Sequence, residues 1–278
     1  MRVIIFGASG LLGQALMREW SDDEVTGLSS RDVDIRDALQ LHATIEKLRP
    51  EWIVLSAAYT DVDGCETNRD LAFAVNRDGA VNVAEAAKSG GARLLFLSSD
   101  YVFDGKNDRP YETGDRRNPM SVYGRSKAEA EVRLEQLLPG CCIVRTSWLF
   151  GVGGKCFPDT ILKLAATRPA LDVVDDQRGS PTYTIDLARA IIQLCRRQAS
   201  GIVHATNAGD CSWFEFAREI VRQAGLPAEV HPCSSQQMAR PAPRPAYSVL
   251  SPSSLARFEV SMPSWQDALK RYLQERAI

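Results

Sequence analysis

Residues 2–13 read RVIIFGASGLLG, and this dozen decides the fold. Arg2–Phe6 is a short apolar run with the length of a buried strand. Gly7-Ala8-Ser9-Gly10-Leu11-Leu12-Gly13 follows, and residues 11–20 continue with the spacing of an amphipathic helix. Glycines between a strand and a helix let the chain turn sharply and bring bare backbone against a ligand. The helix that starts there offers unpaired N–H groups and the positive end of its dipole, which suits a pyrophosphate. The spacing is G-x-x-G-x-x-G, not the commoner G-x-G-x-x-G. Gly7, Ser9, Gly10, Leu11, Leu12 and Gly13 are therefore the expected contacts of a dinucleotide.

The same alternation continues outward. Apolar runs at 24–28, 52–58, 93–99 and 141–147 are separated by helical patterns at 37–48, 68–89 and 121–138. Continuous apolar strands between helices predict an α/β fold with a doubly wound parallel sheet covered on both faces. Beyond residue 150 the rhythm loosens, with helices expected at 157–166, 185–197, 212–225 and 264–277 and strands at 171–174 and 201–206. This predicts a dinucleotide-binding domain over 1–150. A smaller, mainly substrate-binding α/β domain follows over 151–278, with some segments returning to the first. Between Cys233 and Ser254 the chain is rich in Pro and Ser without periodicity, and it reads equally as a linker or as a binding loop.

The 278 residues carry 33 Lys and Arg against 35 Asp and Glu, a net charge of −2. That balance argues against nucleic acid as a partner, because phosphate-tracking surfaces need a basic excess. No apolar stretch is long enough to span a membrane. The N-terminus enters the glycine turn without room for a signal peptide, so a cytoplasmic protein is expected. Seven cysteines (65, 141, 142, 156, 195, 211 and 233) form no CxxC pair, which predicts reduced thiols and no zinc site. Three scattered histidines (42, 204 and 231) offer no converging cluster for a metal.

Chemistry is expected at three further places. The second strand ends in Leu28-Ser29-Ser30-Arg31, where an NAD enzyme usually carries an acid for the ribose 2′-hydroxyl. Hydroxyls and a guanidinium suit a 2′-phosphate better, so NADPH is expected ahead of NADH, with Ser30 and Arg31 as contacts and Asp34 and Ile35 beside the adenine. The fourth strand ends in Ser98-Ser99-Asp100, at the carboxyl edge where open α/β sheets bind ligands. Tyr123-Gly124-Arg125-Ser126-Lys127 opens a helix, and its Tyr and Lys lie on one face. A nearby ammonium is expected to lower the pKa of the phenol, so that Tyr123 donates a proton to a carbonyl oxygen as hydride reaches carbon. Ser99 positions that oxygen.

Gly-rich turn, strand-end Ser and downstream Tyr-Lys, in this order, resemble the extended short-chain dehydrogenase/reductase superfamily, whose dinucleotide domain is Rossmann-like. Within it the chain resembles the dTDP-4-dehydrorhamnose reductases almost end to end. The blocks that carry this are LRPEWIVLSAAYTDVDGCE (48–66), SSDYVFDG (98–105), NPMSVYGRSKAEAE (118–131), RTSWLFG (145–151), DQRGSPTY (176–183) and RPAPRPAYSVL (240–250). The resemblance implies NADPH-dependent reduction of the 4-keto group of a deoxysugar nucleotide. It implies catalysis by Tyr123 and Lys127, with Ser99 standing where the family usually has Thr. Ala57, Ala58, Tyr59 and Asn76 would lie along the cofactor, as would Tyr123 and Lys127, the latter on the nicotinamide ribose, and Val62, Ser99, Asp100, Tyr101, Trp148, Gln177 and Pro181 would face the sugar nucleotide. Some members form a magnesium-bridged dimer through carboxylates at positions that are Ala15 and Ile185 here. No metal is therefore expected, and a monomer or a different homodimer is. Two other readings remain open on this scaffold: a sugar-nucleotide epimerase or dehydratase, and a non-catalytic subunit similar to the regulatory subunit of methionine adenosyltransferase. Against dehydration, Ser99-Asp100-Tyr101 stands where such enzymes have Thr-Asp-Glu.

Overall fold

The computed structural model describes residues 1–276. Five strands, β1 (Arg2–Phe6), β2 (Glu24–Leu28), β3 (Trp52–Leu55), β4 (Arg93–Ser99) and β5 (Cys142–Thr146), join Gly201–His204 in one six-stranded sheet. The order is Gly201–His204, β5, β4, β3, β1, β2, and every pairing is parallel. Strand order reverses between β1 and β3, so the loops leaving these two strands part and open a crevice at their carboxyl ends.

The connecting helices are α1 (Leu11–Glu19), α2 (Ala38–Leu48), α3 (Val62–Thr67), α4 (Arg69–Phe73), α5 (Gly79–Gly90) and α6 (Val122–Leu137). Each face of the sheet has its own apolar core, as burial on both faces requires. On one face Ile5, Leu16 and Val54 pack with Leu187 and Ile191 of the helix Thr184–Arg196. On the other, Ile4, Ile53 and Phe96 pack with Leu41, Val83 and Leu134 from α2, α5 and α6. The second half of the chain is thus woven into the first through Thr184–Arg196 and Gly201–His204. Ala15 and Ile185 are both buried in the first of these cores.

Among the departures from the sequence expectations two matter most, and one alternative left open there narrows. The helix expected over 68–89 forms as α4 and α5 joined by a π turn, Ala74–Asp78. Such turns shift the side-chain register locally, and here the turn carries the buried Asn76. Glu229–Cys233 is an additional strand, parallel to Ala170–Val174. Its side chains are mostly exposed and Pro232 interrupts it, so it lacks the apolar pattern of a core strand. The Pro-rich stretch is ordered rather than a loose linker. Tyr111 and Arg178 donate N–H bonds to Val249 and Ala246, and Ser248 and Ser251 return them to Arg178 and Tyr111, each at 2.8 Å. These single bridges to loops leave no periodic trace in sequence.

No helix among the described residues is long and apolar enough to cross a membrane. All seven cysteines are free thiols, six of them buried, with Cys233 partly exposed.

Candidate active site

A cleft of about 660 Å³ opens at the crevice between β1 and β3 and runs on to the end of β4. One end is built by the glycine turn. Gly7 has φ +92°, and a Cβ there would lie 2.5 Å from the Ala57 nitrogen. A Cβ on Gly13 would lie 2.0 Å from the Gly7 carbonyl oxygen. These two glycines let α1 start hard against the strand ends, with no side chain capping its N-terminus. The first N–H groups of a helix lack intrahelical partners, and Leu11, Leu12 and Gly13, which carry them here, line the cleft beside Ser9 and Gly10.

Ser30, Asp34, Ile35, Ala57 and Ala58 also line the cleft. Arg31 does not; its side chain is exposed, and Arg36 stands on the wall instead. Arg36 grips Asp34 with two nitrogens at 2.6–3.0 Å, and that contact holds the Asp34 carboxyl below its ordinary pKa. Tyr59 and Asn76 lie off the wall. The Asn76 amide accepts the Tyr59 N–H at 2.7 Å and donates to the Tyr59 carbonyl and to Ser126 Oγ at 3.0 Å each. Ser126 in turn donates to the Tyr123 carbonyl at 2.7 Å. Asn76 therefore positions the β3 loop and α6 together, from the π turn.

At the other end Ser99, Asp100, Tyr101, Tyr123, Lys127, Val62 and Trp148 converge on the same cleft. Ser121 caps α6, accepting the Gly124 N–H at 3.1 Å, and Glu66 accepts the Val122 N–H. Gly124 allows the close approach: a Cβ there would lie 2.2 Å from the Tyr101 carbonyl oxygen. Tyr123 packs edge-on against Tyr101, with ring centroids 5.6 Å apart. Trp148 sits at φ +48°, a costly conformation for a bulky residue, and stacks on Trp213 at 3.5 Å. Two expected substrate contacts lie elsewhere. The Gln177 amide donates to Ser235 Oγ at 2.7 Å, and Pro181 is buried; neither lines the cleft.

The electrostatics depart from the simple Tyr-Lys picture. Burial pushes the Tyr123 phenol above its ordinary pKa, and the Ser99 hydroxyl, not Lys127, acts against that rise. Lys127 is 2% exposed, with its ammonium 4.1 Å from the centroid of the Phe96 ring. Burial draws it down to about 7, with Glu131 opposing. An ammonium so desolvated exchanges its proton near neutrality, and it gains most from a ligand that hydrogen-bonds it.

The support beneath Lys127 was not visible in the sequence reading. Glu131 has no exposed surface and receives Arg145 Nε at 2.9 Å and Nη2 at 2.6 Å, with Ser98 Oγ and Arg117 Nε at 2.5 Å each. Burial alone would raise this carboxyl; its four donors hold it below the ordinary range. The signal was present, since Arg145 is a charge inside the apolar run CCIVRT and Glu131 follows Lys127 by one helical turn. His204 lies 3.3 Å from Arg145 Nη1, and burial pushes it down to about 4.

The whole chain, residues 1–278, matches the family model described as RmlD substrate binding domain. The protein belongs to this family. Among its relatives is the spore coat polysaccharide biosynthesis protein SpsK of Bacillus subtilis, 40% identical over 99% of this chain and 98% of that protein. A dTDP-4-dehydrorhamnose reductase from Clostridium acetobutylicum superposes with a TM-score of 0.98 at 38% identity, covering 100% of both chains. The Bacillus anthracis dTDP-4-dehydrorhamnose reductase, solved in complex with NADP, superposes at 0.95 with 38% identity over 99% of both chains. The extended short-chain dehydrogenase/reductase fold expected from the sequence is the fold observed.

Proposed function

We propose that this RmlD-family protein reduces the 4-keto group of a deoxysugar nucleotide with NADPH, dTDP-4-dehydro-L-rhamnose to dTDP-L-rhamnose. One observation carries the reading: a single cleft joins the glycine turn to Ser99, Tyr123 and Lys127. The glycine cradle fits a dinucleotide, because a Cβ at Gly7 or Gly13 would fill the space where α1 meets the strand ends. Gly7 through Gly13, Ser30, Ile35, Ala57 and Ala58 would hold NADPH, which supplies hydride when bound. The relative solved with NADP supports this choice of cofactor.

In this reading Tyr123 gives its proton to the carbonyl oxygen as that oxygen gains charge. The raised pKa of the phenol keeps the proton in place until then, and a donor aimed at developing charge in a desolvated site contributes most. Ser99 orients the same oxygen. Lys127, charged once a ligand relieves its desolvation, would stabilise the phenolate left at Tyr123. Val62, Asp100, Tyr101 and Trp148 form the sugar end, while Gln177 and Pro181 lie off the cleft wall. Residues 1–150 then carry the cofactor and these four side chains, which 151–278 buttress through Trp213 on Trp148 and Ser248 beside Asp100.

Dehydration fits less well. Burial pushes Tyr101, which stands where an acid would be needed, up to about 12, too high to protonate a leaving hydroxyl. Ala15 and Ile185 are apolar and buried, so a magnesium-bridged dimer has no ligands there. We place the enzyme in the cytoplasm, in keeping with its free buried thiols.

The test is an incubation with NADPH and a panel of 4-keto sugar nucleotides, following loss of reduced-cofactor absorbance. Stoichiometric consumption with dTDP-4-dehydro-L-rhamnose is the expected result. Turnover of a sugar nucleotide on retained NAD, without net consumption of reduced cofactor, would overturn the reading.

A further inference from the structure

Asp100 follows the strand-end Ser99 and is 1% exposed. Its Oδ1 accepts the Ser99 hydroxyl at 2.9 Å, while its Oδ2 is buried without a hydrogen-bond partner. Around it stand the Tyr101 phenol from its own turn, the Tyr123 phenol from α6 and the Ser248 hydroxyl from the Pro-rich segment. Asp100 takes part in no ion pair among the described residues. A carboxylate with one oxygen unsatisfied and no counter-charge is a costly thing to bury. Carboxylic acid in the same place carries no charge and needs less.

The direction of the hydroxyls matters because Ser99 Oγ already accepts the Tyr101 N–H at 3.2 Å. With Asp100 ionised, the Ser99 proton points at Oδ1. Ser99 can then only accept from Tyr123, which turns the phenol proton away from an incoming carbonyl oxygen. With Asp100 protonated, the acid donates to Ser99 Oγ and the Ser99 proton is released toward the substrate side. Both Ser99 and Tyr123 then present donors to one oxygen, as reduction of a carbonyl requires.

We propose that Asp100 acts in its protonated form as a positioning residue that turns the Ser99 and Tyr123 hydroxyls toward the substrate carbonyl. This rests on the reductase reading above and adds a residue to it. Burial pushes the Asp100 carboxyl up to about 6, with Ser248, Ser99 and the backbone N–H groups of Asp100 and Tyr101 opposing, so the acid form is populated in the lower part of the working pH range.

The experiment compares pH profiles of kcat for the wild type, Asp100→Asn and Asp100→Ala with saturating NADPH and the 4-keto substrate. Wild-type kcat is expected to fall about tenfold per pH unit above the Asp100 pKa. An asparagine amide donates to Ser99 as the acid does, so Asp100→Asn loses that limb and keeps turnover within about tenfold of the acid plateau, while Asp100→Ala falls further. Lys127, drawn down to about 7 in the same cleft, sets a limb of its own in every variant, so a pH profile of Asp100→Asn superimposable on that of the wild type, or a change confined to KM, would overturn the proposal. A second readout needs no turnover: infrared difference spectra of the NADP-bound enzyme are expected to show a protonated carboxyl band that titrates and is missing in Asp100→Asn. Its absence across the whole range overturns the proposal on its own. If the band titrates but no 4-keto sugar nucleotide is reduced, the reductase reading has failed and the positioning role fails with it.

Discussion

At the Gly7–Gly13 end of the cleft the wall is backbone; at the Ser99–Tyr123–Lys127 end it is side chains held by other side chains. The first end offers N–H groups that do not titrate, so it is insensitive to pH and, at Gly7 and Gly13, intolerant of any added carbon. The second holds a phenol pushed up, an ammonium drawn down to about 7 and a carboxyl raised to about 6. Binding chemistry is thereby separated from proton chemistry along one groove. A cofactor site made of backbone keeps its affinity while the reacting end changes protonation state.

The largest expected effect tests that separation directly. Tyr123→Phe removes the proposed proton donor and leaves the glycine cradle untouched. Turnover should fall by about 10²–10⁴-fold, while the Kd for NADPH, measured by fluorescence, stays within about twofold. A comparable loss of cofactor affinity would show that the two ends are not independent.

Next in size is Glu131→Gln, which strikes the support beneath the reacting end. Removing the charge leaves Arg145, with no exposed surface, without its counter-ion. Breaking a buried pair in this way costs about 3–5 kcal/mol, readable as a lowered denaturant midpoint. The pH sign follows from the depressed Glu131 carboxyl. Its stabilisation is present above the ordinary carboxylate pKa and is lost as pH falls through the depressed one, so the variant should lose acid sensitivity along with stability. Lys127 should also move further below its present value, since Glu131 is the group that raises it.

Legibility in the sequence follows the same division. The strands β1, β3, β4 and β5 were readable because each is buried on both faces and so carries an unbroken apolar stretch, Val3–Phe6, Trp52–Leu55, Leu94–Leu97 and Cys142–Val144. The glycine turn was readable because only glycine meets its demands. By contrast, Gly124, Asn76 and the Glu131–Arg145 pair act through contacts between residues far apart in the chain, such as Asn76 with Ser126. No local periodicity encodes such contacts. The Pro-rich segment is the extreme case. Arg244 holds Asp63 with two nitrogens at 3.0 Å each, fixing residues 240–247 over α3 through an ion pair whose partners are 181 positions apart.

The smallest expected effect concerns the one corner where the backbone end borrows a side chain. Ser30 and Arg36 stand on the wall near the end of β2, and Arg31 points to solvent. Arg36 is already engaged by Asp34, which cancels most of its charge toward a ligand. Arg31 makes no ion pair among the described residues and is the cation we propose for a ribose 2′-phosphate. Because that contact is exposed, solvent and salt discount it to about 1 kcal/mol. Arg31→Ala should therefore lower the ratio of kcat/KM for NADPH over NADH by about three- to tenfold, with kcat nearly unchanged, and the difference should shrink at high salt. If the ratio instead holds for Arg31→Ala and drops for Arg36→Ala, the wall cation rather than the solvent-facing one reads the phosphate, and Asp34 must then release Arg36 when the cofactor binds.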